Sequence, residues 1–451
     1  MSAETVILWS IEKTHSTIKI AFWSTFLLIS SFSATWAQSK VPNNVQIHVA
    51  GQEPLGYAPC EPSIAIDPTN SDRIVAGAVL DYVYVSEDAG KSWTRDRLEA
   101  KDGVFGDPCV VAGPQGDFYY AHLSNPDGKG WETEALLDRI VVQHSKAGKG
   151  AKKWNKGAGV GLNGAKDQDK EWLAVSPSGD KLAICWTEFD HYGSELATDS
   201  TRILCSTSDR KATKWSVPVR VSAMQGNCLD GDSTVEGAVP VWIDEMTLGV
   251  AWAHGEHIRW NVSEDAGATF RPYEQYIADI IGGWDHMIPG IGRANGMPVT
   301  GVAREGVHAG RVYVNWADQR NGPHDTDVWI IWSDDQGKSW SEPVRVNNDP
   351  PGKHQFFTWM AVDPVTGHVH IVFYDRRMSD RTATHVYVAS STNGGEHFIN
   401  RRVSESPFVP SPEGFFGDYN NISAYGGRVR PIWTRNEQGL QGIWTALIEE
   451  Q

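Results

Sequence analysis

An eight-residue pattern, Ser-x-Asp-x-Gly-x-(Ser/Thr)-(Trp/Phe), recurs along the chain and limits what it can fold into. It reads SEDAGKSW at Ser86–Trp93, SEDAGATF at Ser263–Phe270 and SDDQGKSW at Ser333–Trp340. Weaker copies read STNGGEHF at Ser391–Phe398, SKAGKGAKKW at Ser145–Trp154 and STSDRKATKW at Ser206–Trp215. The chemistry is local. An Asp or Asn side chain closes the turn onto backbone N–H groups, Gly supplies a positive φ, and the final aromatic is left to pack between sheets. The closing aromatics Trp93, Trp154, Trp215, Phe270, Trp340 and Phe398 follow one another at intervals of 55 to 70 residues. That is the length of a small antiparallel unit, so the chain is read as a repeat protein.

Each turn joins two strands of a four-strand unit. One copy runs PVTGVAR (Pro298–Arg304), RVYVNWAD (Arg311–Asp318), DVWIIWS (Asp327–Ser333) and PVRVN (Pro343–Asn347). Inner-strand equivalents are SIAID, PCVVA, EWLAV, AVPVW, TWMAVD and YNNISAY, the first at Ser63 and the last ending at Tyr425. With Pro298–Arg304 these make seven. The turn resembles the Asp-box of sialidase-like β-propellers, which implies a radial all-β fold. The last unit, from Tyr419, has three strands and no box; VQIHV (Val45–Val49) supplies the expected fourth, closing the ring and removing open sheet edges. The expectation is an all-β, seven-bladed β-propeller of four-stranded blades, closed by an N-terminal strand and forming one catalytic domain over residues 38–451. Trp186, Trp252 and Trp316 recur at matching strand positions and are expected in the core.

Residues 1–37 are read as a signal peptide. Lys13 and Lys19 precede the apolar run Ile20–Phe32, and Ser33-Ala34-Thr35-Trp36-Ala37 offers a small-residue cleavage site. The run falls short of the roughly 20 residues needed to span a bilayer. The expected product is secreted or periplasmic, monomeric, and free of the membrane once cleaved. Five cysteines then lie in the mature part, where Cys185 with Cys205 or Cys60 with Cys109 could bridge. With 40 Lys+Arg against 56 Asp+Glu and a net charge of −16, nucleic acid is excluded as a partner.

Function is expected where the repeat is interrupted, on loops of one face. The blade-two loop lies within Phe118–Ser145 and the blade-three loop within Trp186–Ser206. His122 ends one strand, Tyr192 lies just past another, and Arg202 begins the returning strand. Adjacent blades would place imidazole, phenol and guanidinium around one cleft. Such a set suits removal of a uronic acid's C5 proton: the guanidinium neutralises the carboxylate, and His and Tyr move protons. On AHLSNP, GLNGAKDQDKEW, TEFDHYGS, CLDGDSTVEGAVP, QFFTWMAVD, FFGDYNNISA and RPIWTR the chain resembles the ulvan lyases of polysaccharide lyase family 25. The resemblance implies β-elimination beside uronic acids in an anionic sulfated polysaccharide, ulvan. His122 would be the base, Tyr192 the acid, and Arg202 the carboxylate partner. His144 would be a second substrate-binding residue, and Arg210 a rival to Arg202 although its box lies on the far face.

No cofactor is needed for that chemistry. Glu61, Asp107, Glu171, Glu236 and Asp418 open inner strands, so like charges should crowd at the channel rim. Either water solvates them or a structural Ca²⁺ sits there. Two other functions fit the repeat. A non-catalytic glycan-binding propeller would leave His122, Tyr192 and Arg202 facing different ways. A sialidase-type glycoside hydrolase would need a Phe/Tyr-Arg-Ile-Pro motif before the first blade, where this chain reads PCEPSIAID.

Overall fold

The computed structural model describes residues 41–51, 58–379, 381–410 and 414–450. The expected signal peptide lies outside them. Among the described residues, no helix is long and apolar enough to cross a membrane.

Seven antiparallel sheets form the seven-bladed β-propeller read from the repeat. Six are simple four-stranded blades in sequence order, beginning at Ser63, Cys109, Asp167, Glu236, Val299 and Gln355. Their inner strands touch in cyclic order, the seventh returning to the first, so the ring is closed. The seventh blade contains Asn421–Tyr425, Arg428–Glu437 and Leu440–Ala446, and its outer strand is the N-terminal Asn44–Val49, paired antiparallel with Leu440–Ala446. A short strand, Ile448–Glu449, adds to Arg428–Val429 at the end of the same blade.

The boxes are built as their sequence implies. In the first, the Gly90 N–H donates to Ser86 Oγ (2.8 Å), and Asp88 accepts from the Ser92 N–H (2.9 Å) and hydroxyl (2.6 Å). The same three bonds recur at Ser263–Thr269 and Ser333–Ser339, with positive φ at Gly90, Gly267 and Gly337. Hydrogen bonds led by the Ser339 hydroxyl hold the Asp335 carboxyl down to about 2. Its contribution is therefore complete above the unfolded value near 3.8 and fades as pH falls towards 2. Asp335→Ala is expected to cost about 1–2 kcal/mol at pH 7, since the turn is solvent-screened. Urea unfolding at pH 7 and near pH 2.5 checks it: the difference from wild type shrinks at the lower pH.

Between blades, Trp186, Trp252 and Trp316 are fully buried. Cys185 and Cys205 stand directly opposite in register, yet all five cysteines are free and buried. Arg320 and Arg377 ion-pair with Asp318 and Asp375 and lie over the Trp329 and Tyr387 rings, which accounts for both structurally.

Candidate functional site

The inner strands enter the ring through a repeated backbone distortion. Glu61, Asp107, Lys170, Gly237 and Phe357 all have positive φ, each two residues before the regular part of an inner strand, and Gly417, four residues before the inner strand of blade seven, has it too. In blades three, four and six the register with the second strand slips here, between Asp169 and Trp172, Glu236 and Val239, and Phe356 and Trp359. A bulge of this kind re-aims side chains. Left-handed backbone at a non-Gly residue costs about 1–3 kcal/mol and concentrates at functional sites.

Three of these residues, Glu61, Asp107 and Lys170, line a cavity of about 240 Å³ at the mouth of the central channel. Asp169, Tyr192 and Arg293 line it too, while Phe105, Leu123 and Trp131 are among its apolar walls. Trp131, on the blade-two loop, is 64% exposed and lies 5.8 Å from the Tyr192 ring, centroid to centroid. Tyr192 Oη donates to Asp230 Oδ2 (2.6 Å). Arg293 bridges Asp230 (2.8 Å) and Asp418 (2.8 Å). Lys170 Nζ lies 3.3 Å from both Asp107 and Asp418.

The expected crowding of carboxyls is present, and two cations answer it. Burial raises the carboxyls of Glu61, Glu171 and Glu236 well above the usual range, and the neighbouring Asp107 or Asp230 charge adds to it. Burial and then the Asp107 charge push Asp169 up to about 7. Asp418 goes the other way: burial would raise it, but Lys170 and Arg293 hold it down to about 2. Burial, followed by the Asp169 and Asp230 charges, raises the Tyr192 phenol and keeps it protonated. Lys170 and Arg293 stand between the carboxylates where the sequence left room for calcium, and among the described residues these acids converge on no metal-ligand set.

Of the four site residues expected from sequence, the cavity receives Tyr192 alone. His122 is fully buried behind it, with Nδ1 2.8 Å from the Leu123 carbonyl and Nε2 3.2 Å from Gln143 Oε1. Burial lowers its imidazole to about 4. Arg202 is also buried and already paired, with Glu188 (2.8 Å) and Asp190 (2.7 Å), so no guanidinium fork is left for a substrate carboxylate. His144 and Arg210 lie in a separate cavity formed by the boxes of blades two and three. There both bind Asp117, at 2.7 and 2.5 Å, and Asp117 also accepts the Ala147 N–H, replacing the Asp that this degenerate box lacks. The grouping of His122, Tyr192 and Arg202 around one cleft is thereby corrected. Asp169, Lys170, Asp230 and Arg293 take their place beside Tyr192. The run DQDKEW (Asp167–Trp172), which breaks strand alternation, is the one sequence signal that marked two of them.

No family model matches the chain, and no curated protein does. Solved structures do. The phage phi92 endosialidase superposes with a TM-score of 0.50 at 9% identity, over 91% of this chain and 69% of its own. An α-L-arabinofuranosidase from Fusarium graminearum gives 0.48 at 12% identity, over 91% and 98%. An ulvan lyase of polysaccharide lyase family 25, solved with a glucuronate–sulfated rhamnose unit, gives 0.46 at 10% identity, over 78% and 85%. At these identities the likeness is one of fold.

Proposed function

We propose that the chain is a glycan-cleaving enzyme working at the channel mouth, with Asp169 as general acid and Tyr192 beside it in the proton-transfer set. The observation that carries this reading is convergence in one aromatic-walled cavity: a carboxyl held near 7, a protonated phenol and two cations, with four non-glycine lining residues (Glu61, Asp107, Leu137 and Lys170) at positive φ. A carboxyl that stays protonated near neutrality is matched to protonating a leaving glycosidic oxygen. Trp131 offers an exposed ring on which the apolar face of a sugar can stack. The solved structures named above include a lyase and hydrolases, which agrees with a glycan substrate. Hydrolysis uses the carboxyl pair Asp169 and Asp107 directly, one protonated and one available as base or nucleophile.

A second reading, β-elimination on a uronate polymer such as ulvan, is favoured by one feature. Lys170 and Arg293 share the cavity with the Tyr192 phenol, and a uronate carboxylate needs a cation before its C5 proton can leave. One assay separates the two. Purified protein is incubated with arabinan, ulvan, chondroitin, alginate and a sialic acid polymer, and both reducing ends and absorbance near 235 nm are followed. The conjugated C4=C5 bond of an elimination product is expected to absorb there (about 235 nm). New reducing ends without that absorbance mean hydrolysis; both together mean elimination. Tyr192→Phe is expected to slow either reaction by about 10²-fold or more. Binding without new ends from any polymer would leave a glycan-binding propeller and sink the enzymatic reading.

A further inference from the structure

On the opposite side of the ring from the cavity mouth, two histidines flank the first residue of the second strand of blade six, Val369–Asp375: His368 immediately precedes the strand and His370 is its second residue. Spacing of two along a strand puts both on one side. The last turn of the chain brings a carboxylate to them. Ile448–Glu449 pairs with Arg428–Val429, the Glu450 N–H donates to the Gly427 carbonyl (2.7 Å), and Asp363 accepts from the Gly426 and Gly427 N–H groups (3.0 and 2.7 Å). Each of His368, His370 and Glu450 then offers a ligand atom within 4.8 Å of the other two.

Ser390, the register partner of His370 on the next strand, organises the group. Its hydroxyl donates to Glu450 Oε1 (2.7 Å) and lies 2.9 Å from His370 Nδ1, and Glu450 Oε2 is 3.8 Å from the same nitrogen. His370 is fully buried, and its Nε2 has no hydrogen-bond partner. A buried imidazole nitrogen without a partner is uncommon, because losing its water costs free energy that nothing repays. Two imidazoles and one carboxylate oxygen make a borderline-soft set. Magnesium and calcium prefer all-oxygen shells, whereas zinc takes this combination and fills its fourth position with water.

We propose that His368, His370 and Glu450 form a binding site for a zinc-class divalent transition-metal ion, which fastens the C-terminal segment of blade seven to blade six. The ion acts as a second clasp on a ring already closed by the N-terminal strand. It is remote from the cavity, so its role is in stability and stands apart from the cleavage proposed above. Ser390 orients two of the ligands from behind.

The full chain, stripped with chelator, is titrated with Zn²⁺ and separately with Co²⁺. The expected result is uptake of one equivalent, a visible cobalt absorption of tetrahedral intensity, and a higher melting temperature with metal than without. Calcium at the same concentration produces none of these. His368→Gln and Glu450→Gln change half-buried side chains and are expected to keep the metal-free melting temperature. Each weakens zinc binding at least about tenfold and abolishes the rise in melting temperature. Failure to take up zinc stoichiometrically, or uptake unchanged in Glu450→Gln, would overturn the assignment.

Discussion

Asp169→Asn is expected to remove most of the activity and, at the same time, to make the protein more stable at pH 8. Asp169 is buried, and its carboxyl is raised from 3.8 to about 7 by burial and the Asp107 charge. Below about pH 4 the group is protonated in both folded and unfolded chains and costs nothing. Between about 4 and 7 only the unfolded chain releases the proton, so each pH unit takes about 1.4 kcal/mol from stability. Above 7 the cost is fixed at roughly 4 kcal/mol, an upper bound for a group among several interacting charges. Asn keeps the shape and can still accept the Lys170 N–H, which donates to Asp169 Oδ1 at 2.9 Å. It has no proton to lose, so the variant's stability should stay flatter from pH 4 to 8. As general acid, the same group makes kcat/KM of the wild type fall as pH rises through about 7, and its loss should lower the rate by about 10²–10⁴-fold. Urea titrations across pH, with turnover on the polymer identified by the assay above, test both halves. A variant less stable than wild type at pH 8, or fully active, would remove Asp169 from the role given to it.

The parts of this molecule that were readable in its sequence are those set by local chemistry. A box needs its Ser, Asp and Gly within five residues, so its copies announce themselves, and the missing outer strand of the last blade followed from counting. The acid-bearing inner strands were visible for the same reason. His122 shows where that reasoning stops. It was placed correctly at a strand end on the loop face, but side chains alternate, and it is Leu123 that reaches the cavity while His122 turns towards Gln143. One residue of parity separates a catalytic base from a buried ring. Arg202 stands opposite Glu188 in the strand register, a pairing the chain order alone does not reveal. Arg293 and Asp230 come from long connections without periodicity, and only tertiary packing brings them to Tyr192. Asp169 and Lys170 lie in the run DQDKEW, whose broken alternation marks the bulge, but the bulge shifts the strand out of the phase in which alternation would assign either side chain to the cavity.

Lys170→Met is expected to destabilise the protein by about 3–5 kcal/mol at pH 7, the cost of leaving buried charges without their partner. Lys170 is buried against Asp107 and Asp418, and Asp418 itself has no exposed side-chain surface. Because Lys170 and Arg293 depress the Asp418 carboxyl to about 2, its contribution is present above the unfolded value of 3.8 and is lost as pH falls through 2. Removing the lysine forfeits that contribution, so the deficit is largest near neutrality and narrows below about pH 4, where the acids protonate. Asp418→Asn in the same chain should recover part of the loss, because the uncompensated charge is gone; the double-mutant cycle reads the coupling directly. There is a functional consequence as well. Lys170 is among the charges that pull the Asp169 carboxyl down, so without it Asp169 holds its proton to higher pH. Whatever activity survives in Lys170→Met should therefore extend further into the alkaline range than that of the wild type. A variant within 1 kcal/mol of wild type at pH 7 (about the worth of a surface pair) would mean that water, not Lys170, compensates the channel acids. The pH dependence assigned to the cavity would then lose its physical basis.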